Sequence, residues 1–179
     1  ANERRESGQA AVVYKSDDQY RVFYGIGLTR DDALKIAAEM KEIGEDVYLK
    51  DDLSVTSISV DDVPSEQGEI LHRLTEEGQQ IVSTLSTLSA AHIVGDETAG
   101  DLERMERSHR NFVAELTQLN QLLTAEQQQM LSTMDQALAQ SMEAAKQYQK
   151  DRSVGYMWQV QEGLMQYVIA YEQLGHSFQ

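Results

Sequence analysis

Ala11-Val12-Val13-Tyr14, then the polar Ser16-Asp17-Asp18-Gln19, then Tyr20-Arg21-Val22-Phe23-Tyr24 form the stretch on which the fold of this chain turns. Two short runs of β-branched and aromatic residues separated by a polar turn predict a β-hairpin. Gly25-Ile26-Gly27 ends the second strand. Thr29-Arg30-Asp31-Asp32 then opens a helix, in which Thr29 can cap a free amide and Asp32 can reach back toward the cap. Ala33, Ile36, Ala37 and Met40 give that helix one apolar face, and Gly44 stands where a terminating glycine is expected. Val47-Tyr48-Leu49-Lys50 predicts a third strand, so the order is β-β-α-β. Residues 51–63 are acidic and serine-rich, and 54–60 fit either a further edge strand or a linker.

An internal echo precedes the hairpin. Arg5-Glu6-Ser7-Gly8-Gln9 before the first strand matches Lys41-Glu42-Ile43-Gly44-Glu45 before the third: a charged helix end, a glycine, then a short strand closing on lysine. Residues 1–7 are therefore expected to be the tail of an earlier helix whose own strand would lie before Ala1. After the hairpin unit the only proline, Pro64, marks a join, and from Ser65 the pattern is helical. Leu71, Leu74, Gly78, Ile81, Leu85 and Leu88 keep a 3–4 spacing; a loop follows at 94–97, and Thr98-Ala99-Gly100-Asp101 offers a second capping box. Leu102, Met105, His109, Phe112, Leu116, Leu119 and Leu123 form the next stripe, broken near 122–124 where Thr124-Ala125-Glu126-Gln127 caps again. Leu131, Met134, Leu138, Ser141, Ala145 and Tyr148 make the third stripe. After a turn at Lys150-Asp151-Arg152-Ser153, Met157, Val160, Leu164, Val168, Tyr171 and Leu174 make the fourth. Segments of roughly 22–29 residues span ~33–43 Å at 1.5 Å per residue. Such stripes gain stability only by packing on one another, and the short turns point to an antiparallel four-helix bundle. The expected class is α+β: a small α/β module at 1–52, a linker at 53–64 and the bundle at 65–179.

Composition narrows the function. The 179 residues are 41% hydrophobic and 25% charged, enough to bury a core. Thirty acidic residues against fifteen basic ones give a formal charge of −15, which opposes binding to nucleic acid or to an anionic membrane surface. With no cysteine there is no disulfide scaffold, thiol nucleophile or cysteine metal site. No apolar run approaches the ~18 residues of a membrane span, so no membrane contact is expected within this chain. The opening Ala-Asn-Glu-Arg-Arg-Glu-Ser-Gly is neither a signal peptide nor an initiator methionine, which suggests a piece of something longer.

The sharpest chemical motif is a pair of Glu-x-x-His sequences, Glu69-Ile70-Leu71-His72 and Glu106-Arg107-Ser108-His109, on the first two bundle helices. Di-metal carboxylate bundles, which carry out oxidoreductase chemistry, use two such motifs with a glutamate from each remaining helix. Here His72 is one position off its stripe, and Glu126, Glu143, Glu162 and Glu172 fall off theirs, so Glu69, His72, Glu106 and His109 are weak metal candidates and no cofactor is expected. His92 and His176 lie near helix ends, where a cation favours the terminal carbonyls. There is no Gly-x-Ser-x-Gly elbow, phosphate loop or dinucleotide fingerprint. The aspartate pairs fall at turns and helix starts, where carboxylates satisfy backbone donors. Met134, Met142, Met157, Tyr167 and Tyr171 sit at core spacing, while Trp158, beside its stripe, fits half-buried packing or a partner anchor. The expectation is a protein that is not an enzyme.

Tyr20-Arg21-Val22-Phe23-Tyr24-Gly25-Ile26-Gly27, an alanine-rich helix, and Gly44 followed by Val47-Tyr48-Leu49-Lys50 together resemble the second half of a SPOR domain, the sporulation-related repeat that binds bacterial peptidoglycan. The resemblance covers about residues 1–50 and is strengthened by the internal echo, because such domains are βαβ-βαβ pseudo-repeats of ferredoxin-like or RNP-like form. This chain lacks the first strand and most of the first helix. The resemblance implies non-catalytic binding of glycan strands stripped of their stem peptides, on the sheet face not covered by helices. It also implies septal targeting in sporulation or cell division. The location implied is the extracytoplasmic side of the membrane, with an anchor upstream and other septal proteins as partners of the bundle. Matching the motif makes Val22 and Tyr24 core and turns Arg21 and Phe23 to the ligand, with Tyr14 and Tyr48 flanking. An aromatic ring on a saccharide face and an arginine on its oxygens would suit that role. The alternatives that remain are a helical-bundle interaction module without glycan binding, in which Phe23 merely covers the sheet, and the di-metal oxidoreductase.

Overall fold

The computed structural model describes residues 8–16, 19–50, 65–96 and 100–178. Strands β1 (Val12–Ser16) and β2 (Gln19–Phe23) pair antiparallel, with Val12 opposite Phe23, Tyr14 opposite Arg21 and Ser16 opposite Gln19. Five helices follow among the described residues: α1 (Arg30–Glu42), α2 (Ser65–Ile93), α3 (Leu102–Asn120), α4 (Ala125–Asp151) and α5 (Val154–His176). Thr29 caps α1 by accepting the Asp32 amide, and Gly44, at φ +90°, ends it in the left-handed conformation that glycine adopts freely. Thr124 and Gln127 make both halves of the capping box of α4. At α3 the cap is Asp101, whose carboxylate accepts the Arg104 amide at 2.9 Å. The proposed cap at Thr98, the helix tail at 1–7 and the strand or linker at 51–63 lie outside the described residues.

The expected third strand does not form. Residues 46–50 pair with no strand, and the sheet among the described residues has two members. A strand is stable only beside another that takes up its amides and carbonyls. Val47 instead leans its side chain on the apolar core and Tyr48 projects into solvent.

Helices α2 to α5 close a four-membered ring in which α2 packs on α3 and α5, and α4 on the same two. Short turns join α3 to α4 and α4 to α5, the latter through Arg152 at φ 58°. The central layer holds Leu74, Ile81, Leu85, Phe112, Leu131, Leu138 and Leu164. Ala10, Val12, Ile36 and Met40 belong to the same cluster, so hairpin and α1 share one core with the bundle. Helix α1 lies on α2 and β1 lies on α5.

A polar seam fixes this docking. Gln161 of α5, fully buried, accepts the Ile26 amide at 2.7 Å and donates to the Ser89 hydroxyl of α2 at 2.7 Å. The Ser86 hydroxyl accepts the Leu28 amide and donates to the Ile26 carbonyl, both at 3.3 Å. Polar groups inside an apolar layer are tolerated because each is paired, and here the partner is the backbone of the β2–α1 connection. Gly27 lets that connection press against the start of α1, where a Cβ would collide with the Ala33 backbone.

Candidate functional site

The hairpin has one covered face and one open face. Val12 is buried, Tyr14 and Phe23 are half-buried with rings 6.1 Å apart, and Phe23 rests on the core. The Tyr14 hydroxyl donates to the Glu172 carboxylate of α5 at 2.9 Å. Val13, Lys15, Tyr20 and Val22 occupy the other face, exposed. Tyr24 packs on the core as expected, but within β2 the facing is reversed: Arg21 and Phe23 turn toward the molecule and Val22 to solvent. Lys15 supplies the reason, since the face that carries it cannot be buried against α5 without stranding an ammonium, whereas Val12, Tyr14 and Phe23 can. Arg21 reconciles its charge with this face by staying half-exposed at the edge.

On the open face Tyr20 is 73% exposed, and the Lys15 amine lies 5.7 Å from the centre of its ring. Tyr48, 77% exposed, stands on the far side of a groove of about 740 Å³ that runs along β2. The partly exposed Phe23, Ile26, Val47 and Ile169 give this groove its apolar surface, over the buried Ile36, Met40, Met165 and Val168, and residues 46–50 also line it. Arg21, Phe23 and Tyr48 thus meet in one groove, while Tyr14 is engaged elsewhere with Glu172. The Tyr24 hydroxyl donates to the Glu45 carboxylate at 3.1 Å and ties β2 to the start of that segment.

No family model matches this chain, and neither a curated protein nor a solved structure does.

The Glu-x-x-His residues are not brought together. His72 pairs with Glu76 one turn along at 3.3 Å, both well exposed, and Glu69 faces solvent. The Glu106 carboxylate takes the Lys146 ammonium at 2.7 Å, and that hydrogen bond and charge hold it below the usual carboxylate pKa. His109 pairs with Asp135 at 3.0 Å and stacks on Phe112. Among the described residues no group of three or more His, Asp or Glu side chains could hold a metal ion, and no helix is long and apolar enough to cross a membrane. His92, in the last turn of α2, is buried with its ring 4.6 Å from Tyr148, and its Nδ1 is 3.1 Å from the Tyr148 hydroxyl. Trp158 is 5% exposed and belongs to the core, so it is no anchor for a partner. Sequence reasoning passed over Tyr20 and Lys15. Their direct opposition in the hairpin register, with a charge on that face, was the available signal.

Proposed function

We propose that this chain is a non-catalytic binding and scaffold protein of the bacterial cell wall, in which a partial SPOR-like unit is docked on a four-helix bundle. Its arrangement resembles that of stage II sporulation protein B, and the reading places it outside the cytoplasmic membrane at a septum, as part of an anchored protein. The observation that carries the reading is the open hairpin face: a tyrosine three-quarters exposed with a lysine amine against its ring. A ring of that kind offers an apolar face for the C–H surface of a sugar, and the ammonium offers charge-assisted bonds to its hydroxyls or carboxylates. Tyr48 extends the aromatic surface across the groove. The ligand-facing set is therefore Tyr20, Lys15 and Tyr48 in place of Arg21 and Phe23.

The test is co-sedimentation with purified peptidoglycan freed of stem peptides. The protein should pellet, and Tyr20→Ala should lower the pelleted fraction severalfold. A protein that stays in the supernatant with or without Tyr20 would overturn glycan binding. A second reading, a helical module that acts only through protein contacts with hairpin and α1 as its cap, is favoured by the continuous core and the Gln161 seam. It predicts no pelleting, and binding to septal proteins that survives loss of the tyrosine.

A further inference from the structure

The groove beside β2 has a property that its aromatic rim does not require. Two residues separate Ser16 from Gln19, so this pair closes the hairpin as a hydrogen-bonded pair, and the alternation continues through Tyr14–Arg21 and Val12–Phe23. The intervening residues Tyr20 and Val22 therefore aim their amides and carbonyls away from β1, along the second edge of β2. No strand among the described residues covers that edge. It borders the groove, whose volume lies within the ~300–1,000 Å³ typical of ligand clefts. The charge of the lining runs against that of the molecule. Arg21, Arg30 and Lys50 face one carboxylate, Asp46, in a chain of net charge −15, and neither arginine is in an ion pair with a described residue.

We propose that the edge of β2 accepts an extended acidic peptide as an added strand. Backbone pairing with Tyr20 and Val22 gives the peptide its register, and strand addition of this kind places alternate side chains on opposite faces. The acidic set, on the side of Arg21, meets the two arginines, and the other set lies beside the exposed Val22. The five residues of β2 offer an edge of about 17 Å at 3.4 Å per residue. This inference does not require glycan binding, which uses the side chains of Tyr20, Lys15 and Tyr48 rather than the backbone of the edge.

A labelled, acetylated heptapeptide alternating valine and glutamate, titrated into the whole chain by fluorescence anisotropy, tests it. Saturable binding is expected. Methylation of alternate peptide nitrogens should weaken it about tenfold or more, equivalent to ~1.4 kcal/mol. Val22→Pro should do the same, because the amide it removes faces the free edge rather than β1. The methylated peptide also tests the edge without altering the protein, should the proline disturb the hairpin. Replacing glutamate by lysine in the peptide should abolish binding. Equal binding of the methylated peptide or no saturation would overturn the proposal. Lys15→Ala separates the two readings: it should reduce pelleting with peptidoglycan and leave peptide binding within about twofold, since Lys15 lies on β1 outside the groove.

Discussion

Tyr167 carries its hydroxyl into the middle of the bundle, fully buried and without a hydrogen-bond partner among the described residues. Gly78 of α2 makes the space for it, since a Cβ there would collide with that oxygen. Burial, helped by the neighbouring Tyr171, drives the phenol's pKa far above its ordinary value of 10.0, so the side chain stays neutral in the fold. An orphaned hydroxyl in such a place costs ~1–3 kcal/mol, so Tyr167→Phe should stabilise the protein by about that amount in urea unfolding at neutral pH. The sign with pH follows. Above pH ~10 the unfolded chain loses the phenolic proton and the folded chain keeps it, so stability falls as pH rises from there. The phenylalanine variant should lose less stability between about pH 9 and 11, and parallel curves for the two proteins would contradict the assignment. Gly78→Ala should cost about 1–3 kcal/mol by overpacking, and much of that loss should disappear in the Tyr167→Phe background. Additive effects would mean that the two groups do not touch.

The pairing of α4 with α5 depends on one close approach. Ser141 donates to the Ala137 carbonyl at 2.8 Å and lies 3.3 Å from the Val160 carbonyl, while Gly163 faces it with no side chain. A Cβ at Gly163 would meet the Ser141 hydroxyl and the Ala137 carbonyl, the latter at 2.7 Å, and backbone yields little. Gly163→Ala should therefore lower stability by about 1–3 kcal/mol in denaturant titration, and Ser141→Ala should recover part of it. The helices themselves were legible from the 3–4 spacing of Leu71 through Leu174, from the cap at Thr29 and from the box at Thr124, because local caps and stripes report local structure. The hairpin was legible for the same reason. Its facing was not: alternation says which residues share a side, and only the Lys15 charge and the arrival of α5 decide which side is covered. The strand at 47–50 failed because its propensity is local while a ladder needs a neighbour, and sequence spacing cannot show that none is present. The groove is a product of the same failure. Arg21, Phe23 and Tyr48 line it for reasons of packing that no motif encodes.

Hairpin, α1 and bundle behave as one cooperative body if the polar seam and the shared core bind as tightly as their geometry implies. Gln161 is the test, since it alone joins the Ile26 backbone to Ser89 across the interior. Gln161→Leu leaves the Ile26 amide without its acceptor, while Ser89 keeps its bond to the Leu85 carbonyl, and one group left unpaired predicts a loss of about 1–3 kcal/mol. Were the α/β segment merely tethered, the substitution would release it and leave the bundle intact. Thermal unfolding would then split, with the far-UV signal of the helices melting later than the hairpin and α1. The shared cluster of Ala10, Val12, Ile36 and Met40 with the bundle residues argues for the other outcome. Circular dichroism and the fluorescence of Trp158, buried in α5, should trace one coincident transition in both proteins, shifted to lower temperature in the variant. A single transition also bears on ligand binding. A peptide paired to β2 or a glycan on Tyr20 would then raise the melting temperature of the whole bundle, since anything that binds only the folded state stabilises all of it by mass action.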